Sequence, residues 1–75
     1  MEGLTPGRMV HYVAYGTPGG EYQAGAHRAA IIAEVKDPEV GGCVLMVINP
    51  TGAHWNMAYY SAEPKPGTWH WIEKV

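Results

Sequence analysis

The sequence predicts an all-β fold, a small five-stranded antiparallel barrel, and three observations support that prediction. Ten glycines and six prolines break the chain at short intervals. Between the breaks lie short runs rich in Val, Ile, Tyr and Trp, the residue types that favour strands. Within the runs, side chains alternate with the period of a strand. With 75 residues in all, the chain has room for one small β domain over residues 1–75.

The first two predicted strands are separated by a long loop. The first run covers residues 8–15, and a segment rich in glycine, residues 16–27, follows it. The second run, residues 28–36, is rich in alanine and could also form a helix, but its short length and β-branched centre favour a strand. Charged residues at both ends of this run, Arg28 with Glu34 and Lys36, indicate that the face they share with Ala30 and Ile32 is the wetter one, with Ile32 as an exception.

The last three predicted strands follow one another at short intervals. The third run, residues 43–49, is apolar on both faces, as is typical of a central strand covered on both sides. Turn sequences precede the fourth run, residues 55–60, and the fifth, residues 68–72. One long and three tighter connections predict a strongly bent, Src-homology-like barrel. The alternative is an open five-stranded sheet that a second subunit completes.

The composition of the chain argues against some classes of function and indicates a cellular compartment. The net charge of −2 argues against binding of bulk nucleic acid, which depends on clustered basic residues. Residues 1–7 lack the features of a signal peptide, and the longest apolar run is too short to span a membrane. Cys43 is the only cysteine, so no internal disulfide is expected. We therefore expect a cytoplasmic protein.

Self-association is the expected source of additional stability. A domain of about 60 residues buries only ~60% of the surface of its unfolded chain. Small domains commonly compensate with a disulfide, a metal or a partner subunit. Three tryptophans and five tyrosines exceed what so small a core requires, and strand edges invite pairing. A homo-oligomer is therefore preferred over a structural metal.

No metal ligand, cofactor or catalytic residue is predicted. The four histidines, His11, His27, His54 and His70, show no metal-binding spacing. They are interpreted as packed within strands or placed in loops. Cys43 opens the most apolar run, where a thiol is normally inert, and the carboxylates are scattered near turns.

The best candidates for ligand binding are aromatic, imidazole and guanidinium side chains. Trp and Tyr rings offer a flat face with a polar edge, histidine offers hydrogen bonds, and arginine binds oxyanions bidentately. Core packing and surface salt bridges remain the alternative roles, and residues 16–27 would form a flap over the ligand. The predicted ligand-binding set is Arg8, His11, Tyr15, Tyr22, Arg28, His54, Trp55, Trp69, His70 and Trp71.

Five segments of the chain resemble a family of very small proteins from tailed phages and prophages. These segments are residues 6–13, 15–22, 27–32, 49–52 and 66–71, the last of which reads Pro-Gly-Thr-Trp-His-Trp. Phage proteins of this size include anti-defence sponges, which sequester immune nucleotides as oligomers with pockets at subunit boundaries. This chain differs from such sponges in having only five basic residues.

The resemblance implies a non-enzymatic anti-defence protein in the cytoplasm of a host cell. It would sequester a small immune nucleotide of the cyclic dinucleotide or cyclic ADP-ribose type. The expected partners are further copies of the chain and that nucleotide, with no membrane and no bulk nucleic acid. The alternative is a small protein-binding module, a host-factor inhibitor or a phage assembly protein, with the aromatic residues as interface anchors. A hydrolase that uses Cys43 and a histidine is the third possibility.

Overall fold

The computed structural model describes residues 2–15 and 25–73, and within them the chain forms five strands and no helix. The strands are β1 (Met9–Val13), β2 (His27–Asp37), β3 (Gly42–Asn49), β4 (Gly52–Tyr60) and β5 (Thr68–His70). Each lies on one of the five predicted runs, which confirms the all-β prediction. The described residues contain no helix long and apolar enough to cross a membrane. Tyr22 and most of the predicted flap lie outside the described residues.

The five strands form a closed barrel in chain order. β1 pairs with both β2 and β5, which closes the sheet on itself. The predicted five-stranded barrel is confirmed, with one refinement of strand direction. β4 and β5 run parallel, with Tyr59 opposite Thr68, while every other pair is antiparallel. Parity is the physical reason, because directions can alternate all the way around a closed ring only when the number of strands is even.

The barrel interior is a single apolar cluster in which Trp69 is the largest side chain. The Trp69 indole N–H donates a 2.7 Å hydrogen bond to the carbonyl of Gly41, and its ring packs edge-on against Tyr60 and Trp71. One large side chain therefore anchors the short strand β5. The cluster consists of Val10, Tyr12, Ala30, Ile32, Cys43, Leu45, Val47, Ala58 and Trp69.

The face assignment predicted for β2 is wrong. Ala30 and Ile32 are buried in the core, whereas Ala29 and Ile31 are only half-buried. The register with β3 shifts between Ile32 and Glu34, as at a β-bulge. An inserted residue reverses the inward–outward alternation of side chains along the strand. The charged side chains after the bulge, Glu34 and Lys36, therefore give no information about the face on which Ala30 and Ile32 lie.

The outer surface of β3 and β4 is apolar and largely uncovered. Trp55 is 66% exposed and Ile48 is 40% exposed, so the described residues do not cover β3 on both sides as predicted. The register places Met46 opposite Trp55, which makes the apolar side chains of the two strands contiguous. We refer to six residues as the outer apolar face: Val44, Met46, Ile48, Trp55, Met57 and Tyr59.

Candidate metal centre

Three adjacent strands, β5, β1 and β2, each carry one histidine on the outer wall of the barrel. His11 pairs with His70 across β1 and β5, and the neighbouring Tyr12 points into the core. Alternation therefore directs His11 and His70 outward. His27 at the start of β2 completes the group, with its ring centroid 5.9 Å from that of His11 and 4.8 Å from that of His70.

The carboxylate of Glu73 lies among the three imidazole rings. Its Oε2 is 2.8 Å from Nδ1 of His11, and its Oε1 is 3.1 Å from Nδ1 of His27. Oε1 also accepts a hydrogen bond from Nε2 of His70. One donor atom from each of the four residues lies within 4.8 Å of all the others. We refer to these residues as the histidine–glutamate cluster: His11, His27, His70 and Glu73.

The cluster has a buried side and an open side. The His70 side chain is 7% exposed, whereas those of His27 and Glu73 are 35% and 47% exposed. The Nδ1 atom of His70 is buried without a hydrogen-bond partner among the described residues, so Nε2 is the nitrogen that this ring presents to the rest of the cluster. The cluster therefore has one buried metal-ligand residue, His70, and two exposed ones, His27 and Glu73, which an ion from solvent can reach.

The electrostatics of the cluster keep Glu73 ionised. Desolvation opposes ionisation, but the hydrogen bond from His11, together with those from the backbone and His70, lowers the pKa of Glu73 from 4.5 to about 2. The carboxylate is therefore an anionic acceptor over the whole physiological range of pH. An ionised carboxylate is also the form that coordinates a cation.

The geometry fits a single transition-metal ion. Imidazole nitrogens and carboxylate oxygens bind Zn²⁺ at about 2.0–2.2 Å, so two ligand atoms of one tetrahedral ion are about 3.3–3.6 Å apart. The donors of the cluster lie within 4.8 Å of one another. A closure of about 1 Å between the most widely separated ligand atoms, available to the exposed side chains by rotation, would bring all four into one tetrahedral coordination sphere. Imidazole with carboxylate is a donor set typical of Zn²⁺, Ni²⁺, Mn²⁺ and Fe²⁺.

The residues predicted from sequence to form one ligand site are divided among different parts of the barrel. His11 and His70 belong to the histidine–glutamate cluster. Trp69 is fully buried in the core, so its ring is not available for stacking on a ligand. Arg28 and His54 share the inward-facing side of the sheet, whereas Trp55 projects from the outer apolar face.

The remaining predicted residues flank the core or lie at the surface. The Arg8 guanidinium stacks over the Trp71 ring, 5.0 Å from its centroid, and Trp71 in turn packs edge-on against Trp69. Tyr15 is exposed, and its ring lies so close to Gly67 that a side chain at that position would require the ring to move. The φ angle of Gly67 is +84°, a conformation that independently favours glycine.

Two members of the cluster, His27 and Glu73, were not among the predicted binding residues. The prediction of no metal ligand rested on the linear spacing of the histidines, which does not reveal cross-strand neighbours. The spacing of His70 and Glu73 is the one local signal that could have paired a histidine with a carboxylate. The contact between His11 and Glu73 joins residues 62 positions apart and has no local signal.

Comparisons of the chain with protein-family models, with curated proteins and with solved structures find no match.

Proposed function

We propose that this protein binds one divalent transition-metal ion, with Zn²⁺ as the preferred ion, through the histidine–glutamate cluster. The observation that supports the proposal is the convergence of three imidazoles and one carboxylate within 4.8 Å on the outer wall of the barrel. Four donors of this kind satisfy the tetrahedral coordination that Zn²⁺ adopts in proteins.

Charge balance supports an ion over a purely hydrogen-bonded cluster. The rings of His11, His27 and His70 lie 4.8 to 5.9 Å apart, and one carboxylate can neutralise only one imidazolium. Three positively charged rings at this separation would repel one another. Neutral imidazole is the form that binds a metal.

The position of the cluster also gives the ion a structural effect. β5 has three residues, and Glu73 lies beyond its end. An ion held by the cluster would link this C-terminal segment to β1 and β2. In a small domain whose single cysteine is free and buried, such a link replaces the covalent staple that other small domains use.

Isothermal titration of the chelator-stripped and dialysed protein with Zn²⁺, Ni²⁺, Mn²⁺ and Mg²⁺ tests the proposal. We expect one Zn²⁺ per chain and no binding of Mg²⁺, which prefers oxygen ligands. Because even outer-shell changes cost 10–100-fold in metal affinity, Glu73→Gln should weaken Zn²⁺ binding by at least about 100-fold.

His54→Ala is the matched control, since it removes a histidine that does not belong to the cluster. It should bind Zn²⁺ as the unmodified protein does. Equal affinities for the Glu73→Gln variant and the unmodified protein would refute the assignment of the cluster, as would an equal loss in both variants.

A second candidate function is the sequestration of a small immune nucleotide by a phage anti-defence protein. The contact of the Arg8 guanidinium with the Trp71 ring favours it, because a cation and an aromatic face are adjacent there and Arg8 is exposed. A nucleotide presents a phosphate and a flat base, which these groups bind.

The test incubates the protein with a panel of cyclic dinucleotides and cyclic ADP-ribose isomers and releases any bound ligand by heat. Recovery of an intact nucleotide supports sequestration, and recovery of an altered one indicates an enzyme. Absence of binding across the panel contradicts this candidate and favours the protein-binding module.

A further inference from the structure

Near the β3–β4 turn, polar side chains from four strands share the inward-facing side of the sheet. Arg28 pairs with Tyr12 across β1 and β2, so it shares the inward-facing side of the sheet. The next residue of β2, Ala29, pairs with Ile48, which places Arg28 level with Asn49 on β3. We refer to five residues as the barrel mouth: Tyr12, Arg28, Asn49, His54 and Asn56.

Two hydrogen bonds organise the barrel mouth. The Asn56 amide donates to the Tyr12 hydroxyl at 2.7 Å, and the buried Asn49 amide nitrogen lies 2.9 Å from Nδ1 of His54. The rings of Tyr12 and His54 meet edge-on with centroids 6.4 Å apart. The polar groups of β1, β3 and β4 are therefore held in fixed orientations.

The network leaves hydrogen-bond donors in excess. The Tyr12 hydroxyl oxygen accepts a hydrogen bond from Asn56, so the Tyr12 O–H is still available to donate one. Burial raises the pKa of Tyr12, so the hydroxyl keeps its proton. Nδ1 of His54 accepts from the Asn49 amide, which assigns the ring proton to Nε2.

Arg28 supplies the positive charge of this end of the barrel. Its Nε is buried without a hydrogen-bond partner among the described residues, and none of the ion pairs formed by those residues includes Arg28. A buried donor of a charged group that is left unpaired costs free energy, which a bound acceptor would recover. Guanidinium with neutral O–H and N–H donors is a combination that binds oxyanions.

We propose that the barrel mouth binds a phosphoryl group, with Arg28 as the bidentate contact and Tyr12 and His54 as hydrogen-bond donors. A phosphoryl group fits better than a carboxylate, since its three terminal oxygens can accept from donors on different strands. The proposal is independent of metal binding, because none of the barrel-mouth residues belongs to the histidine–glutamate cluster.

NMR titration of the chelator-stripped protein tests the proposal and excludes phosphate bound to a metal. Inorganic phosphate, AMP, acetate and chloride are compared at equal ionic strength. We expect saturable shifts of the barrel-mouth amides with phosphate and AMP, and weaker or no shifts with acetate and chloride. Tighter binding of AMP than of inorganic phosphate would identify a phosphate ester as the ligand, and equal binding would identify free phosphate.

Variants locate the contact. Arg28→Gln should lower phosphate affinity at least about 10-fold, the effect of losing a charge-assisted hydrogen bond of about 1.5–3 kcal/mol. Tyr12→Phe keeps the core ring and should weaken binding about 2- to 10-fold, as the loss of one neutral hydrogen bond of about 0.5–1.5 kcal/mol does. Lys36→Gln is the matched control, because it removes a positive charge that pairs with Glu34 outside the barrel mouth, and it should bind phosphate normally.

Arg28→Lys keeps the positive charge but lacks the planar guanidinium group. It provides a folded reference if Arg28→Gln is unstable. It should bind phosphate more weakly than the unmodified protein. Shifts with phosphate that are no larger than those with chloride would overturn the proposal. So would unchanged affinity in Arg28→Lys together with Tyr12→Phe.

Discussion

The outer wall of the barrel has two halves of different chemistry. Over β5, β1 and β2 it carries the histidine–glutamate cluster, whose inner member His70 is buried. Over β3 and β4 it carries the outer apolar face, where Trp55 is 66% exposed. The ligand atoms of the cluster already converge, so a single ion would complete that site. The outer apolar face is contiguous and exposed, so only a second protein surface would cover it. Histidines and aromatics that composition groups into one site therefore lie on separate halves of the wall, and we expect them to serve separate binding events.

The histidine–glutamate cluster should stabilise the fold strongly once it holds a metal ion. At a free Zn²⁺ concentration about 100 times the dissociation constant, binding should raise the free energy of unfolding by about 2.7 kcal/mol. Glu73→Gln should lose most of this increment, whereas Trp55→Ala should retain it. Urea unfolding followed by tryptophan fluorescence, with and without Zn²⁺, measures both. An equal increment in the two variants would show that the ion binds elsewhere.

Self-association through the outer apolar face is the next largest effect. The homo-oligomer predicted from sequence stays a prediction, and this face gives it a location because six neighbouring apolar side chains share it. Trp55→Ala should weaken association by about 2 kcal/mol, or roughly 30-fold in the dissociation constant, as expected for a central aromatic anchor.

Sedimentation equilibrium over a range of protein concentrations measures the association constant. Glu73→Gln is the control on the opposite half of the wall and should associate normally. A protein that remains monomeric at tens of micromolar would contradict the role of the outer apolar face, and the comparison between the two halves would then rest on the cluster alone.

The smallest expected effect is the acid sensitivity of the metal-free cluster. The pKa of Glu73 is lowered from 4.5 to about 2 in the folded chain. A carboxyl group with a lowered pKa in the folded state stabilises the fold above its unfolded pKa, and this stabilisation is lost as the pH falls through the folded pKa. Stability should therefore decline between about pH 4.5 and about pH 2.

Urea unfolding at a series of pH values measures this decline, which should be shallower in Glu73→Gln. Glu63→Gln removes a carboxylate whose ion pair is with Lys65 and serves as the control. A decline of the same slope in Glu73→Gln and in the unmodified protein would show that contacts other than those of the cluster produce the acid sensitivity.

Sequence patterns predicted the strands better than the site. Glycine and proline breaks located the five runs, and the alternation of β1 correctly separated Val10 and Tyr12 from His11. The same reasoning failed in β2, where the bulge after Ile32 reversed the phase. A local sequence pattern therefore predicts which side chains are buried only up to the first bulge in a strand.

The number of strands, their approximate limits and the all-β class are determined by the sequence, because turn chemistry and two-residue periodicity act between near neighbours. The parallel pairing of β4 with β5, the bulge in β2 and the convergence of His11 with Glu73 were decided by the tertiary structure. These features depend on the closure of the whole ring and on cross-strand register. The energy of each pairing includes contacts with residues far along the chain, which no window of neighbouring residues contains.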